Sequence, residues 1–346
     1  MTSLADRITG GVDTHLGIHV AAALNHLGVL LDTRSFPATA AGYRQLLGWL
    51  RAFGVVELVV VEGTGSYGAG LTRHLQTKGV TVVEVDRPNR QNRRRRGKSD
   101  VVDAIAAARS AQSGDASGRA KTRDGNVEAM RVLRLVKLSA RRSKTVALNQ
   151  MRSIVACGPE ELRADMRDLS AKQLIGRAAA LRPAGRTDIL GATKTSLRLL
   201  ARRAQAFDAD IAEINALLEP LVGETAPDLL TADGVGTDVA SALLVAVGDN
   251  PERLRSEASF AHLCGVAPLD ASSGKQERHR LSRAGNRQAN SALWRVVMTR
   301  IVYDPRTKHY IERRMKEGLS KREAMRCLKR YVARELFFLL PLPRAA

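Results

Sequence analysis

Cysteine is scarce in this 346-residue chain, with three copies at Cys157, Cys264 and Cys327. An odd number set far apart excludes a disulfide framework and offers no thiolate zinc site. Aromatic residues make up 4%, too few for a single-strand binder built from base-stacking platforms. No uninterrupted apolar run approaches the ~20 residues that a membrane helix needs, and no lipidation signal occurs. The opening residues, MTSLADRITG, lack the basic start and apolar core of a secretory leader. A cytoplasmic location is the expectation.

Positive charge is in excess. The balance of 55 Lys+Arg against 35 Asp+Glu leaves +20, with a pI near 10.7. Such an excess points to a polyanionic partner, because neutralising phosphates with Lys and Arg supplies most non-specific nucleic-acid affinity. The length suffices for two or three domains at roughly 100 to 200 residues each.

One stretch combines both signs of charge. Arg90 to Ala104 reads RQNRRRRGKSDVVDA, in which Arg93, Arg94, Arg95, Arg96 and Lys98 run into Asp100 and Asp103. The two acids are one helical turn apart and share a face of the helix that follows. A basic run alone is a solvated tail, a localisation signal or a phosphate-binding patch, and a lone D-x-x-D pair is ordinary surface polarity. End to end, they suggest nucleic-acid phosphate delivered to metal-binding carboxylates.

The preceding residues alternate between strand and helix signals. GVDTH, IHVAAAL and GVLLDTRSF have strand character, with Gly28 where a hairpin turn falls. A helix is predicted from about Ala40 to Ala52, an apolar strand from Leu58 to Val61, a helix near Gly70 to Thr77 and a further strand from Val80 to Val85. This order implies a mixed sheet covered by helices, an α/β domain. Asp13 follows GV and Glu62 follows LVVV, so each carboxylate ends an apolar strand, where it can face a site; within the strand it would be buried at a cost. The competing reading of either acid is a cap on the next turn. With Asp100 and Asp103 they make four hard oxygen ligands, a set suited to Mg²⁺ or Mn²⁺ and to activating water or a phosphodiester.

VDTH, VEGTGSYG and GKSDVVDA, in this order and at these intervals, resemble the amino-terminal domain of the DEDD transposases of the insertion sequence one-ten family. The resemblance implies a RuvC-like, RNase-H-type fold and maps the acidic tetrad onto Asp13, Glu62, Asp100 and Asp103. Ser99 departs from the threonine more usual before the third acid.

Beyond Ala104 the chain turns helical. Asn126 to Cys157 lacks Pro and Gly, and Met130, Leu133, Val136 and Leu138 fall close to one face. Gly158-Pro159 breaks this helix, and a partner is predicted from about Thr193 to Leu218, with Leu197, Leu200, Ala204, Ile211, Ile214 and Leu218 at helical spacing. The stretch between them carries no clear pattern. A coiled-coil arm joining protomers is preferred to an ordinary bundle, since no sheet pattern is available to cover these helices.

From Pro227 the sequence gives a short helix, a turn at Gly234-Val235-Gly236 and an apolar helix. Such a turn, similar to a helix-hairpin-helix, presents N–H groups to phosphate; glycine for conformational reasons alone is the competing reading. Ser272-Ser273-Gly274 then precedes Lys275, Arg278, His279, Arg280, Arg283 and Arg287. Serine attacks a phosphodiester only when a base or positive charge helps it, and a plain flexible turn is the alternative. The stretch resembles the second domain of the same family at Gly265, Pro268, Ser273-Gly274 and Gly285-Asn286. The resemblance implies Ser273 as nucleophile, with Ser272 the fallback. RQANSAL departs from the family's arginine-rich continuation. Ser320 to Leu340 reads as a basic helix that packs its apolar side on the domain.

The expected fold class is therefore α/β plus α. It comprises an RNase-H/RuvC-like mixed-sheet domain over residues 1–118, a helical coiled-coil region over 119–222, and a mainly helical carboxy-terminal domain over 223–346 with a helix-hairpin-helix-like element. The family resemblance implies a DNA transposase or site-specific recombinase of an insertion sequence, acting through a covalent phosphoserine with a divalent-metal site. It further implies a bridge RNA that pairs with target and donor DNA, a bacterial protein acting at the nucleoid, and a homo-oligomer, a tetramer formed of dimers, with sites shared between protomers. The chief alternative is a metal-dependent RuvC-like nuclease or resolvase of branched DNA using water as nucleophile. The other is a non-catalytic nucleic-acid-binding protein.

Overall fold

The computed structural model describes residues 7–85, 99–114, 118–183, 188–270, 279–281 and 285–342. They fall into two compact units, one of Met1–Gly125 with Gly248–Arg253, the other of Asn126–Val247 with Leu254–Ala346.

The first unit is built on a five-stranded sheet in the order β3-β2-β1-β4-β5. The strands are β1 (Arg7–Thr14), β2 (Ile18–Asn25), β3 (Leu30–Pro37), β4 (Val55–Glu62) and β5 (Thr81–Val85). Strands β1 to β3 are antiparallel neighbours, whereas β4 runs parallel to β1 and β5 parallel to β4. Gly28 makes the β2–β3 turn at φ 78°, a conformation that glycine adopts without strain.

Strand alternation sends neighbouring residues to opposite faces. Ile8, Val12, Ala21, Ala23, Val59 and Val61 pack on one face against Leu46, Leu50, Leu71 and Leu75. Those leucines come from α1 (Ala40–Arg51) and α2 (Ala69–Thr77). Each fully buried leucine contributes about 1.5–3 kcal/mol. The opposite face carries α3 (Asp100–Gln112), whose Ala104 and Ala108 pack on Ala22 and Leu24, and whose Ala107 packs on Val60 and Val83. Small residues on helix and sheet bring the two backbones together. At Gly11, an added β-carbon would lie 2.7 Å from the Ala108 amide nitrogen and closer still to the Ala104 carbonyl oxygen.

The chain leaves this unit after Gly125 and returns at Gly248. On its return Asn250 donates from Nδ2 to the Ala120 carbonyl at 3.0 Å and accepts from the Thr122 amide at 3.3 Å.

The second unit is mainly helical. Its long elements are α4 (Asn126–Cys157) and α7 (Ile189–Thr225), 32 and 37 residues, or about 48 and 56 Å at ~1.5 Å per residue. They pack along each other. The stretch without a clear sequence pattern forms α5 (Glu160–Met166) and α6 (Ala171–Ala179). Leu162, Met166, Leu174 and Ile175 from these helices bury against Met151, Val155, Leu197 and Ala201. Helix α7 begins earlier and ends later than its predicted span and contains Pro220.

The rest of this unit comprises α8 (Pro227–Leu230), α9 (Thr237–Val247), α10 (Glu257–Leu263), a small hairpin of β6 (Pro268–Asp270) and β7 (His279–Leu281), then α11 (Arg287–Tyr303), α12 (Pro305–Lys316) and α13 (Lys321–Phe337). Leu243, Leu244, Phe260, Leu293, Val296 and Leu336 form its core. One sequence expectation is corrected on α4, where Val136 is 51% exposed while Arg134 and Lys137 are buried. The burial of those two cations follows from Asp238 on α9, which pairs with both. Among the described residues no helix is long and apolar enough to cross a membrane.

Candidate functional site

The sheet topology brings the first two acids together. Val12 on β1 pairs with Val61 on β4 in parallel register, so Asp13 and Glu62 follow at the same end of adjacent strands. Thr14 ties the two ends, its hydroxyl donating to the Glu62 carbonyl at 2.7 Å. Alternation puts Asp13 on the face of Gly11, and Glu62 on the face of Leu58 and Val60, which is the face covered by α3. Because Gly11 lets α3 sit against the sheet, the amino-terminal turn of that helix comes down beside Asp13.

Asp100 and Asp103 are in that first turn. The Asp103 amide donates to the Ser99 carbonyl at 3.0 Å, starting the helix. Asp103 is 4% exposed and Asp13 7%. Asp13, expected at the end of its strand, is the next-to-last residue of β1 and is buried there. The cost shows in its acidity. Burial pushes the Asp13 carboxyl above the usual carboxylate range, His15 pulls the other way, and the negative charges of Asp100 and Asp103 push it further up.

His15 is a residue that the sequence reading left unassigned. Its Nε2 lies 3.4 Å from Asp13 Oδ2 and 3.3 Å from Asp100 Oδ2, is closed off from solvent, and makes a hydrogen bond to neither. The signal was present in VDTH, where a histidine follows the first acid by two positions. Ligand atoms of Asp13, His15 and Asp100 lie within 4.8 Å of one another, the one such group among the described residues. Asp103 is near enough for its charge to act on Asp13, and Glu62 ends the neighbouring strand β4. Buried like charges together with a sequestered, unbonded nitrogen fit a divalent cation, which would neutralise the former and engage the latter.

The second set of expected residues lies in the helical unit. Gly234, at φ 80°, packs against Val296 and Thr299, whereas the β-carbon position of Gly236 is open. Asp238 follows in the first turn of α9. Its carboxylate takes Lys137 Nζ at 2.6 Å, Arg134 at 3.3 Å, Arg141 at 3.4 Å, and Arg295. Burial alone would raise the pKa of Asp238, but the bonds from Lys137 and Arg295 outweigh it and hold the group far below the carboxylate range. Four cations on one acid leave this corner strongly positive.

The β6–β7 hairpin brackets the expected nucleophile. Asp270 pairs with His279, and Arg280 with Leu269. Ser272, Ser273, Lys275, Arg278 and Arg283 lie outside the described residues, as do Arg93, Arg94, Arg95, Arg96 and Lys98. The base of the hairpin is firmly held. The Asn286 amide donates to the Leu263 carbonyl at 2.6 Å, and a β-carbon on Gly285 would lie 2.6 Å from the Gly265 nitrogen. Asn290 Nδ2 donates to the carbonyls of Cys264 and Gly265 at 2.9 and 3.1 Å, while the buried Lys329 donates to Asn290 Oδ1 at 2.9 Å. Burial lowers the Lys329 ammonium below its ordinary range. Arg287 is exposed at the start of α11, which Asn286 caps by accepting from the amides of Gln288 and Ala289.

Comparison with known proteins adds to this geometry. Residues 10–156 match the DEDD transposase model of IS110 elements, and residues 226–312 match the model described as "Transposase IS116/IS110/IS902 family". The chain belongs to the IS110 transposase family. It is also 33% identical over 149 residues to the "Insertion element IS110 uncharacterized 43.6 kDa protein" of Streptomyces coelicolor. That match covers 42% of this chain and 35% of the relative, so the chain spans about a third of the relative's length. The first family match takes in all four acids of the tetrad, and the second takes in Gly234, Ser273 and Arg287.

Proposed function

We propose that this protein is a DNA recombinase that moves an insertion sequence by cutting and rejoining DNA, with its acidic tetrad and Ser273 as the two halves of the reacting centre. The observation that carries the reading is the convergence of Asp13, His15 and Asp100 at one end of the sheet, within a family match that spans the tetrad. Asp13, Asp100, Asp103 and Glu62 would hold Mg²⁺ or Mn²⁺. When bound, the cation supplies charge stabilisation for a phosphodiester in displacement.

The chain's own residues do the rest. Ser273 Oγ forms a bond to phosphorus as the bond from phosphorus to a deoxyribose oxygen breaks, and the serine's proton passes, in net, to that oxygen. The product is a covalent phosphoserine, which a second DNA hydroxyl resolves by the reverse exchange. Lys329, Asn290 and the Gly265–Gly285 contact fix the backbone that flanks β6 and β7. Arg93 to Arg96, Lys98, Lys275, Arg278, Arg280, Arg283 and Arg287 supply phosphate contacts, with Gly234 and Gly236 exposing N–H groups to the backbone. A structured bridge RNA and a homo-oligomer of dimers complete the proposal, together with action at the bacterial nucleoid. The domain limits at 118 and 222 belong to the same reading.

The test is to incubate the protein with DNA from the element's ends and Mg²⁺ and look for a denaturation-resistant protein–DNA adduct. An adduct is expected, and it should vanish in Ser273→Ala and in Asp13→Ala. Cleavage with no adduct would replace the proposal with a water-using nuclease, and neither cleavage nor adduct would leave a binding protein.

A further inference from the structure

His15 begins the short connection between β1 and β2, where its amide donates to the Ile18 carbonyl at 3.1 Å. That bond closes the loop tightly and fixes the backbone from which the imidazole projects. The ring turns back over the strand end, so that Nε2 sits between carboxylates from two different elements, Asp13 of β1 and Asp100 of α3. Nothing in the strand pairing requires this, since the last β1–β2 pair is Thr14 with His19.

The distances have a chemical meaning. Donor atoms ~2.1 Å from one ion lie about 3.0 Å apart when adjacent and about 4.2 Å apart when opposite, in octahedral coordination. The separations of 3.3 and 3.4 Å fall in that range before any ion draws the atoms together, and the whole trio lies inside 4.8 Å. An imidazole positioned only to pair with the acids would align its N–H with one of them, yet Nε2 has no hydrogen-bond partner.

We propose that His15 Nε2 is a nitrogen ligand to the divalent cation held by Asp13 and Asp100, so that the site has a mixed nitrogen-and-oxygen donor set and is not purely carboxylate. The assignment rests on the metal-dependent reading above and narrows the chemistry of its site. Imidazole suits borderline transition ions, whereas Mg²⁺ favours oxygen and gives up its waters reluctantly. The site should therefore bind Mn²⁺ more tightly than Mg²⁺. Loss of His15 should weaken Mn²⁺ by at least about tenfold, the lower end of what even an outer-sphere partner is worth, and should change Mg²⁺ less.

The test uses the full chain loaded with one equivalent of Mn²⁺ and examined by electron spin-echo envelope modulation. A nitrogen-14 modulation from a coordinated imidazole is expected in the wild type. It should be lost in His15→Ala and in His15→Gln, with circular dichroism showing both variants folded. Asp13→Asn should abolish Mn²⁺ binding altogether. Bound Mn²⁺ without nitrogen modulation, or modulation that survives both His15 variants, would overturn the assignment and leave the carboxylate site standing. Failure of the wild type to bind Mn²⁺ would overturn the metal reading and this assignment together.

Discussion

Gly11 and Ala104 touch backbone to backbone, leaving no room between β1 and α3 for even a single methyl group. Gly11→Ala should push the helix away and carry Asp100 and Asp103 with it. Overpacking of this kind costs about 1–3 kcal/mol. Urea denaturation should show that loss, and the variant should lose Mn²⁺ binding. Gly17→Ala, at a position with open space around it, is the matched control and should change neither.

Asp13 is expected to trade stability for function. Its folded-state pKa is raised, by burial first and by Asp100 and Asp103 as well, so its ionisation opposes folding. The sign follows: this contribution favours the fold below the unfolded-state value and is lost as pH rises through the folded one. Above the folded-state value the metal-free protein bears the full cost. Asp13→Asn should raise the melting temperature of the metal-free protein while abolishing the stabilisation by Mn²⁺, which in the wild type is about 2.7 kcal/mol at 100 times the dissociation constant. Differential scanning calorimetry with and without metal checks both.

Two histidines on the opposite face of the sheet predict an acid-sensitive fold. His19 is fully buried and stacked on Tyr43, with both ring nitrogens unbonded. Burial lowers its pKa, and burial together with Lys78 and Arg44 lowers that of His74. A lowered histidine stabilises the fold above the unfolded-state value near ~6.5, and that stability is lost as pH falls through this value toward the folded one. Between pH 7 and 5 the wild type should lose stability, and His19→Phe should flatten the loss. A pH series of urea midpoints is the measurement, and equal slopes would refute it.

Removing Asp238 should be costly. Arg134 and Lys137 are buried against it, and both are already pushed below their ordinary ranges, chiefly by burial. Asp238→Ala would strand two buried cations, a change worth about 3–5 kcal/mol. Chemical denaturation should show this, and sulfate should recover more of it than chloride at equal ionic strength.

Neutral replacements of Arg93 to Arg96 should weaken nucleic-acid binding and flatten its salt dependence. Each lost phosphate contact reduces the slope of log K against log salt by roughly 0.7–0.9. A slope that does not change would assign these arginines to a solvated surface.

The strands of the sheet and the helices α1, α2, α4 and α9 could be anticipated because period and turn chemistry act locally. Gly28 marked its hairpin, and the Leu58 to Val61 run marked β4. Helices α5 and α6 escaped because each is short; the one local signal was Ser170 with Gln173, which form a capping box. Val136 misled because helical spacing counts apolar residues and ignores what faces them. Arg134 and Lys137 take the buried positions only because Asp238, about a hundred residues away in sequence, meets them there. The four acids could be picked out by their positions at strand and helix ends, but the folded chain added His15 to two of them. That selection depends on the path of a three-residue turn, which composition does not encode.

The return of Gly248–Arg253 to the first unit bears on the order in which the protein can mature during synthesis. Asn250 supplies partners for the Ala120 carbonyl and the Thr122 amide, yet it is translated after the whole of α4 to α9. A nascent chain can pair β1 to β5 and dock α3 early, but the edge beyond β5 is secured only once residue 253 has cleared the ribosome. The acidic unit is therefore finished by a segment made 122 residues later, after the excursion of Asn126–Val247, so a chain that stops short within those helices would carry the acids on a unit still open at one side.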